Sequence, residues 1–498
     1  MSDYLLSIDL GTSSCKAALF DLNLKPICFA TAAYDTLFPK TGWAEQPASQ
    51  WWEALCKNCK TIIAKSGISA KQIIGVGIDS MSSAVLPVDE NGEALRPGLI
   101  WMDRRATKQQ EWLDKEFGDE LFKINGNHND PSNFGPKVLW VKEEEPEIYK
   151  QTRYFLHANG YLVYKLTGVP STDISEGGMS QLFDTRKGEW SQRLINGFGL
   201  DADKIPPIFN CTDIVGKVTA KVADECGLAE GTPVVAGAMD NVAAGMGAGV
   251  HKAGQVYVSG GTVTTSGVCI DKPLYNEKLH LYHHIVPGHY LSVGGVDFGG
   301  AGFKWFKGIL EEDDYGKLDS LVSQTSHNAN PALFLPYMVG QRPPLYNNNT
   351  RGVLFGLNPS TDKANLLRTI MEGTAFGTQK VLQIVEENGA SVEQIRMTGG
   401  SSRSKPWTQI FADITGKNID IPGSDDVATL GSAIAAGIGV GAIPSFYDAV
   451  SRIPVSNTYE PDTKKTAYYE TMQQLFENLY DSIESCYDDL ANIRQNFS

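Results

Sequence analysis

One local pattern occurs twice, half a chain apart, and it constrains the fold more than any other feature. An apolar run breaks at a turn of glycine and hydroxyl residues, and a second apolar run follows. Residues 4–9 stop at Gly11-Thr12-Ser13-Ser14, residues 16–20 are apolar again, and residues 26–33 follow a turn at 21–25. In the second copy Val256-Tyr257-Val258-Ser259 leads into Gly260-Gly261-Thr262-Val263-Thr264-Thr265, and residues 267–270 resume the run. Each copy reads as strand, tight polar turn, strand. Gly11-Thr12 and Gly261-Thr262 stand 250 positions apart in a chain of 498, so a duplicated domain is expected.

Other segments fit the same division. Residues 73–78 form an apolar run ending at Asp79-Ser80, and residues 395–398 form one ending at Gly399-Gly400. Small-residue helices are predicted at 241–247, after Asp240, and at 430–437, after Asp426. Small side chains let helices approach closely, which suits a crossing between two domains. The boundary is placed near residue 250, giving domains 1–250 and 251–498. Strands alternate with helical stretches such as 364–387 and 408–415, so the class is α/β. Residues 466–496 read as one amphipathic helix with Leu475, Leu479, Ile483 and Cys486 on its apolar stripe.

A formal net charge of −15 and a pI near 5.1 argue against a nucleic-acid partner, which wants a basic face. Of the eight cysteines, Cys56 and Cys59 form one Cys-x-x-Cys inside a helix expected at 51–64, with no second pair to complete a zinc site. Packing is the simpler role for them. The opening residues carry no basic segment ahead of a cleavable apolar core, and the apolar stretches 231–250 and 427–443 are too short or too polar to span a bilayer. A soluble, cytoplasmic protein without a membrane partner is expected.

The turn at Gly11, Thr12 and Ser13 offers backbone N–H groups and hydroxyls without bulk, a cradle for phosphate oxygens. Asp9 at the strand end would hold Mg²⁺ through water, because magnesium keeps much of its hydration shell, and Lys16 adds positive charge. An ordinary polar hairpin explains the same residues. No Gly-x-x-x-x-Gly-Lys-Ser/Thr loop is present. Asp240 follows a buried-looking run at 233–237 and opens a Gly/Ala-rich helix. It reads equally as a helix cap and as a base for an alcohol, with Asn241 holding a neighbouring hydroxyl. His280, His283 and His284 have no partner set for a tetrahedral metal, so structural or solvent-facing roles are expected.

Taken together, several blocks resemble the FGGY family of carbohydrate kinases over nearly the whole chain. They are Ile8 to Ser13; Gly42-Trp43-Ala44-Glu45-Gln46-Pro47 with Trp51-Trp52; Leu95-Arg96-Pro97 with Ile100 to Arg105; Phe334-Leu335-Pro336-Tyr337 with Gly340-Gln341-Arg342-Pro343-Pro344; and Met397-Thr398-Gly399-Gly400 with Trp407 and Asp413. The resemblance implies an actin-like ATPase fold, two RNase-H-like domains around a cleft that closes on sugar and ATP. It implies Asp240 as general base and Asp9 near Mg²⁺. Thr12, Ser13, Gly261 and Thr262 would lie at the phosphates, where the chemistry of the first turn also puts Gly11 and Lys16, and Gly300, Gly400 and Ser404 would lie on the nucleotide side.

Sugar contacts are expected from Met81, Ser82, Ser83, Trp101, Asp103 and Asn241. Xylulose and gluconate kinases resemble one another in carrying Met-His where this chain has Ser82-Ser83. Two short neutral hydroxyls hydrogen-bond sugars but cannot ion-pair a carboxylate. A ketopentose such as xylulose is the expected acceptor, with another sugar, a polyol or an aldonate such as gluconate as the alternative. An actin-like ATP switch without a small acceptor and a degenerate kinase are the competing classes. Oligomeric state is open, with a homodimer as one option.

Overall fold

The computed structural model describes residues 3–424 and 426–497. The first half builds a seven-stranded sheet. Its strands are β1 (Tyr4–Leu10), β2 (Ser14–Asp21), β3 (Pro26–Ala33), β4 (Ile73–Ser80), β5 (Ile214–Lys217), β6 (Pro233–Val235) and β7 (Ala238–Met239). The order is β5-β6-β4-β1-β2-β3, with β7 paired to β4. Strand β1 is central and buried along nearly its whole length, as its mostly apolar sequence, interrupted only by Ser7 and Asp9, leads one to expect. Strand β3 is the edge, and its residues alternate between exposed and buried in its second half.

The second half repeats the plan with β8 (Gln255–Gly260), β9 (Thr264–Ile270), β10 (His280–His283), β11 (Tyr290–Val296), β12 (Gln394–Thr398), β13 (Ile419–Pro422) and β14 (Val455–Tyr459). Their order is β10-β11-β9-β8-β12-β13-β14. In both sheets an antiparallel hairpin, β1-β2 or β8-β9, extends to a third antiparallel strand on one side. On its other side it meets a parallel strand, β4 or β12. The duplication expected from the Gly-Thr turns is therefore a duplication of sheet topology, as an actin-like α/β fold requires.

The helices that matter for the site are α1 (Ala48–Ser66), α2 (Phe134–Glu144), α3 (Asp240–Gly247), α4 (Lys363–Glu387), α5 (Lys405–Thr415), α6 (Val427–Gly439) and α7 (Thr466–Phe497). Helix α1 covers β2 and β3, with Trp51 fully buried and its indole N–H donating to Gln46 Oε1 at 2.8 Å. Cys56 and Cys59 lie in its buried face. Burial pushes the Cys56 thiol up to about 12 and Cys59 well above its ordinary value, which disfavours the reactive thiolate.

Helices α3 and α6 cross between the sheets and exchange sides. Helix α6, from the second half, lies on β1 and β4 of the first sheet, while Gly245 of α3 faces Tyr257 and Leu291 of the second. Where they cross, a Cβ on Gly431 would stand 1.9 Å from the Ala243 carbonyl oxygen, and one on Gly247 would stand 1.8 Å from that of Val427. Only glycine permits this approach. One apolar core, including Leu5, Phe20, Met246, Tyr257 and Ile434, spans the crossing and joins both sheets.

Helix α7 departs from expectation. Its buried face carries Tyr469, Met472, Phe476, Tyr480 and Tyr487, whereas Leu475 is 41% exposed and Cys486 is also exposed. Leu479 and Ile483 of the expected stripe pack half-buried against the core, but the centre of the buried face lies one position over, about 100° around a helix, where tyrosine rings supply much of the apolar surface. Among the described residues no helix is long and apolar enough to cross a membrane.

Candidate active site

The two polar turns sit at corresponding ends of the two sheets. In the first, Gly11 N–H donates to Ser14 O at 3.0 Å, and Thr12 is held by Gln46, whose Nε2 donates to Thr12 O at 2.6 Å. In the second, Gly261 N–H donates to Val263 O at 3.1 Å. Gly300 N–H donates to Gly261 O at 2.9 Å and Ala301 N–H to Thr262 O at 3.1 Å, so the helix Gly299–Ile309 begins against this turn. Gly399 packs on Gly260, and Ser401 Oγ donates to Gly260 O at 3.2 Å. Gly261, Thr262, Gly300 and Gly400 thus gather round one hairpin. Ser404 is committed elsewhere: its hydroxyl donates to Asp319 at 2.7 Å and caps α5 by accepting from Trp407 N–H.

Between the turns lies a cluster of acids. Asp9 and Asp79 are register partners on the parallel strands β1 and β4, and Asp9 faces Lys16 across the hairpin. Lys16 Nζ is 3.3 Å from Asp9 and 3.3 Å from Asp426, which caps α6. Burial raises the Asp9 carboxyl, with Lys16 opposing. Burial and the charge of Asp9 raise Asp79 well above the ordinary range. Asp79 Oδ1 is buried without a partner. Carboxylates this short of positive charge fit a divalent cation. Among the described residues no three acidic, histidine or cysteine side chains converge to chelate one directly, so the donor set suits an ion that keeps its water, as magnesium does.

Asp240 opens α3 beside this cluster. Met239 is the helix cap and makes no side-chain capping bond, so the carboxylate is not spent in that role. It accepts only the neighbouring Asn241 N–H, at 2.6 Å, and among the described residues it has no ion-pair partner. Burial, then the charge of Asp9, push its carboxyl up to about 7. Asp240 and Asn241 line a cavity of about 610 Å³ together with Thr12, Met81, Ser82, Ser83 and Trp101. The Trp101 indole N–H donates to Thr12 Oγ1 at 2.9 Å, fastening this wall to the first polar turn.

Asp103 is corrected. It is fully buried behind the wall, where one oxygen accepts Ala44 N–H at 2.7 Å and both accept from Arg105. Its carboxylate braces the loop and is not a cavity group. His280, expected in a structural or solvent-facing role, belongs to no metal-holding cluster among the described residues. It lines the cavity on β10, half-buried beside Tyr346, with burial pushing its imidazole down to about 4.

The sequence reading missed the opposite wall, where Asp130, Tyr282, Asp297, Arg342 and Tyr346 complete the cavity. Arg104 forms a two-pronged pair with Asp130 at 3.1 and 3.0 Å. Arg342 pairs with Asp297 at 3.0 and 2.6 Å and lies 5.7 Å from the Trp101 ring centre. Asp79 was within reach of sequence reasoning, since it ends an apolar strand in the same way as Asp9.

The model of the FGGY family of carbohydrate kinases, N-terminal domain, matches residues 4–247, and that of the C-terminal domain matches residues 256–440. A xylulose kinase of Bacillus subtilis is 30% identical over 500 residues, covering 99% of this chain and 100% of the relative. A gluconokinase of the same organism is 27% identical over 511 residues, covering 99% of each. The crystal structure of a xylulose kinase from Rhodospirillum rubrum superposes with a TM-score of 0.92 at 24% identity, covering 97% of this chain and all of that one, which speaks for the fold.

Proposed function

Because the chain belongs to the FGGY family of carbohydrate kinases, we propose that it moves the γ-phosphoryl group of ATP to a hydroxyl of a neutral ketose, D-xylulose first, with Asp240 as the base. The observation that carries this reading is the place of Asp240. It shares one cavity with the sugar-facing loop Met81 to Ser83, with Thr12 of the first polar turn, and with Val263 and Thr265 flanking the second.

In this reading the first half, residues 1–250, holds the sugar, and residues 251–498 hold the nucleotide. Gly11, Thr12, Ser13, Gly261 and Thr262 meet the phosphates from both sides. Gly300 and Gly400 meet the nucleotide, and Lys16 offsets charge. Ser404, occupied by Asp319, is the weakest member of that set. Mg²⁺ held through water by Asp9 would neutralise phosphate oxygens as charge develops there. The base takes the proton of the attacking hydroxyl as the oxygen reaches phosphorus, and Asn241 orients a neighbouring hydroxyl. Catalysis then rests on positioning and charge neutralisation. A carboxyl poised near neutrality is suited to accept that proton.

The charge of the cavity supports a neutral acceptor over an aldonate. Both arginines in its wall, Arg104 and Arg342, are already paired to aspartates, and Asp240 adds a further acid. A sugar carboxylate would find no free cation among the described lining residues. The test is a coupled ADP-release assay over pentuloses, hexuloses, polyols and aldonates. Turnover with a neutral ketose supports the proposal, and preference for gluconate or absence of sugar stimulation sinks it.

A further inference from the structure

Beneath the sugar-facing loop lies a cluster of polar side chains that the mechanism does not use. Lys137 of α2 is fully buried. Its ammonium donates to three main-chain carbonyls: Ser83 O, Ile100 O at 3.1 Å and Leu99 O at 3.5 Å. Those carbonyls belong to the two loops that carry Ser83 and Trp101 into the cavity. On the other side of the same residue, Glu176 Oε2 accepts Ser83 N–H at 3.1 Å. Glu176 is fully buried, and the His157 ring, stacked on Phe134, stands 3.4 Å from its carboxylate.

Ser83 itself is unusual in two ways. Its φ is 56°, in the left-handed region that a serine rarely occupies. Its hydroxyl is buried and has no partner within the protein, although the residue lines the cavity. A residue held in such a conformation persists only where its surroundings over-determine it. Here its N–H and C=O are gripped by two buried ionisable side chains. Burying such groups is costly unless they are well bonded.

We infer that Lys137 and Glu176 are positioning residues of the acceptor pocket: together they clamp the Ser83 backbone so that its otherwise unpartnered hydroxyl is presented to a substrate hydroxyl. Lys137 extends the same grip to the Trp101 loop. The inference rests on the reading of this cavity as the sugar site, and it deepens that reading by naming what sets the pocket's shape.

The test uses the full chain with D-xylulose as probe. Lys137→Met and Glu176→Leu each raise the KM for D-xylulose about tenfold or more, with the KM for ATP within about twofold of the parent. Glu176→Gln, which keeps an acceptor oxygen, recovers most of that loss. In a Ser83→Ala background, Glu176→Leu adds less than about threefold, because the hydroxyl it presents is already gone. Hydrogen exchange without any sugar rises in peptides covering 79–86 and 97–103 of the Lys137→Met chain. Equal losses toward ATP, full multiplication of the Glu176 and Ser83 effects, or unchanged exchange in both peptides would overturn the clamp. If the parent chain ignores D-xylulose, the sugar assignment falls, and the exchange measurement alone decides the clamp.

Discussion

Ser432 donates its hydroxyl to Asp79 Oδ2 at 2.6 Å, so a helix from near the end of the chain is bonded to a sheet strand built near its beginning. The other oxygen of Asp79 has no partner, and its neighbour Asp9 is a second buried acid. Ser432→Ala removes a donor that this carboxylate cannot replace from solvent. The expected cost is about 1–3 kcal/mol, read from urea unfolding at neutral pH. A loss below about 0.5 kcal/mol would mean that Asp79 rests neutral and needs no donor.

Asp240→Asn should leave the binding of ATP and sugar nearly intact while turnover falls by roughly 10²-fold or more, the scale of a positioned base. In the parent, turnover rises as pH climbs through about 7, where Asp240 ionises, and then levels off. The variant lacks that limb. An unchanged turnover number would remove Asp240 from the chemistry.

The same residue makes a prediction about stability, with the opposite sense. Its carboxyl is raised from an ordinary 3.8 to about 7, so the folded state holds the proton more tightly than the unfolded chain does. The stabilisation from protonated Asp240 is complete below about 3.8 and is lost as pH rises through 7. The asparagine of the Asp240→Asn variant stays neutral throughout. That variant should match the parent near pH 4 and be more stable at pH 8, by a free energy of the order of a few kcal/mol, and melt correspondingly higher. Melting curves at the two pH values check it, and a gap that fails to widen would refute the buried, repelled carboxylate.

Ser83→His places a bulky ring where two short hydroxyls now stand. Sugar preference should shift by about tenfold or more between acceptors, with ATP affinity changed less than about threefold. Equal losses toward every sugar would mean that this loop is not the selector.

Gly431→Ala puts a methyl 1.9 Å from the Ala243 carbonyl oxygen at the helix crossing. Neither backbone can yield without moving a sheet, so a destabilisation of about 3 kcal/mol or more is expected by calorimetry. The same change at Gly389, which meets nothing within 4 Å but has φ of 87°, should cost about 1–2 kcal/mol from backbone strain alone.

What the sequence revealed was what is local. Asp9 and the two polar turns announce themselves because a hydroxyl-rich tip interrupts an apolar strand, and Asp240 because a carboxylate separates a strand from a helix of small residues. Tyr282 and Arg342 reach the cavity only through the packing of one half against the other, and Asp130 only through the fold of the first half that brings it to Arg104. Asp103 misled because it lies two positions from Trp101. The turn between them sends one side chain into the cavity and the other into the salt bridge behind it. In α7, tyrosines carried the centre of the apolar face, and the expected stripe met only its edge, at Leu479 and Ile483.

The exchange of α3 and α6 has a consequence for how such a molecule can be taken apart. Each sheet borrows its inner cover from the opposite half of the polypeptide. A gene cut at the midpoint would therefore yield two products, each with a bare greasy flank that only the other can clothe. Neither should be obtainable as a well-behaved fragment by itself. Co-expressed, they should recover one another, much as two hands clasp by passing fingers across.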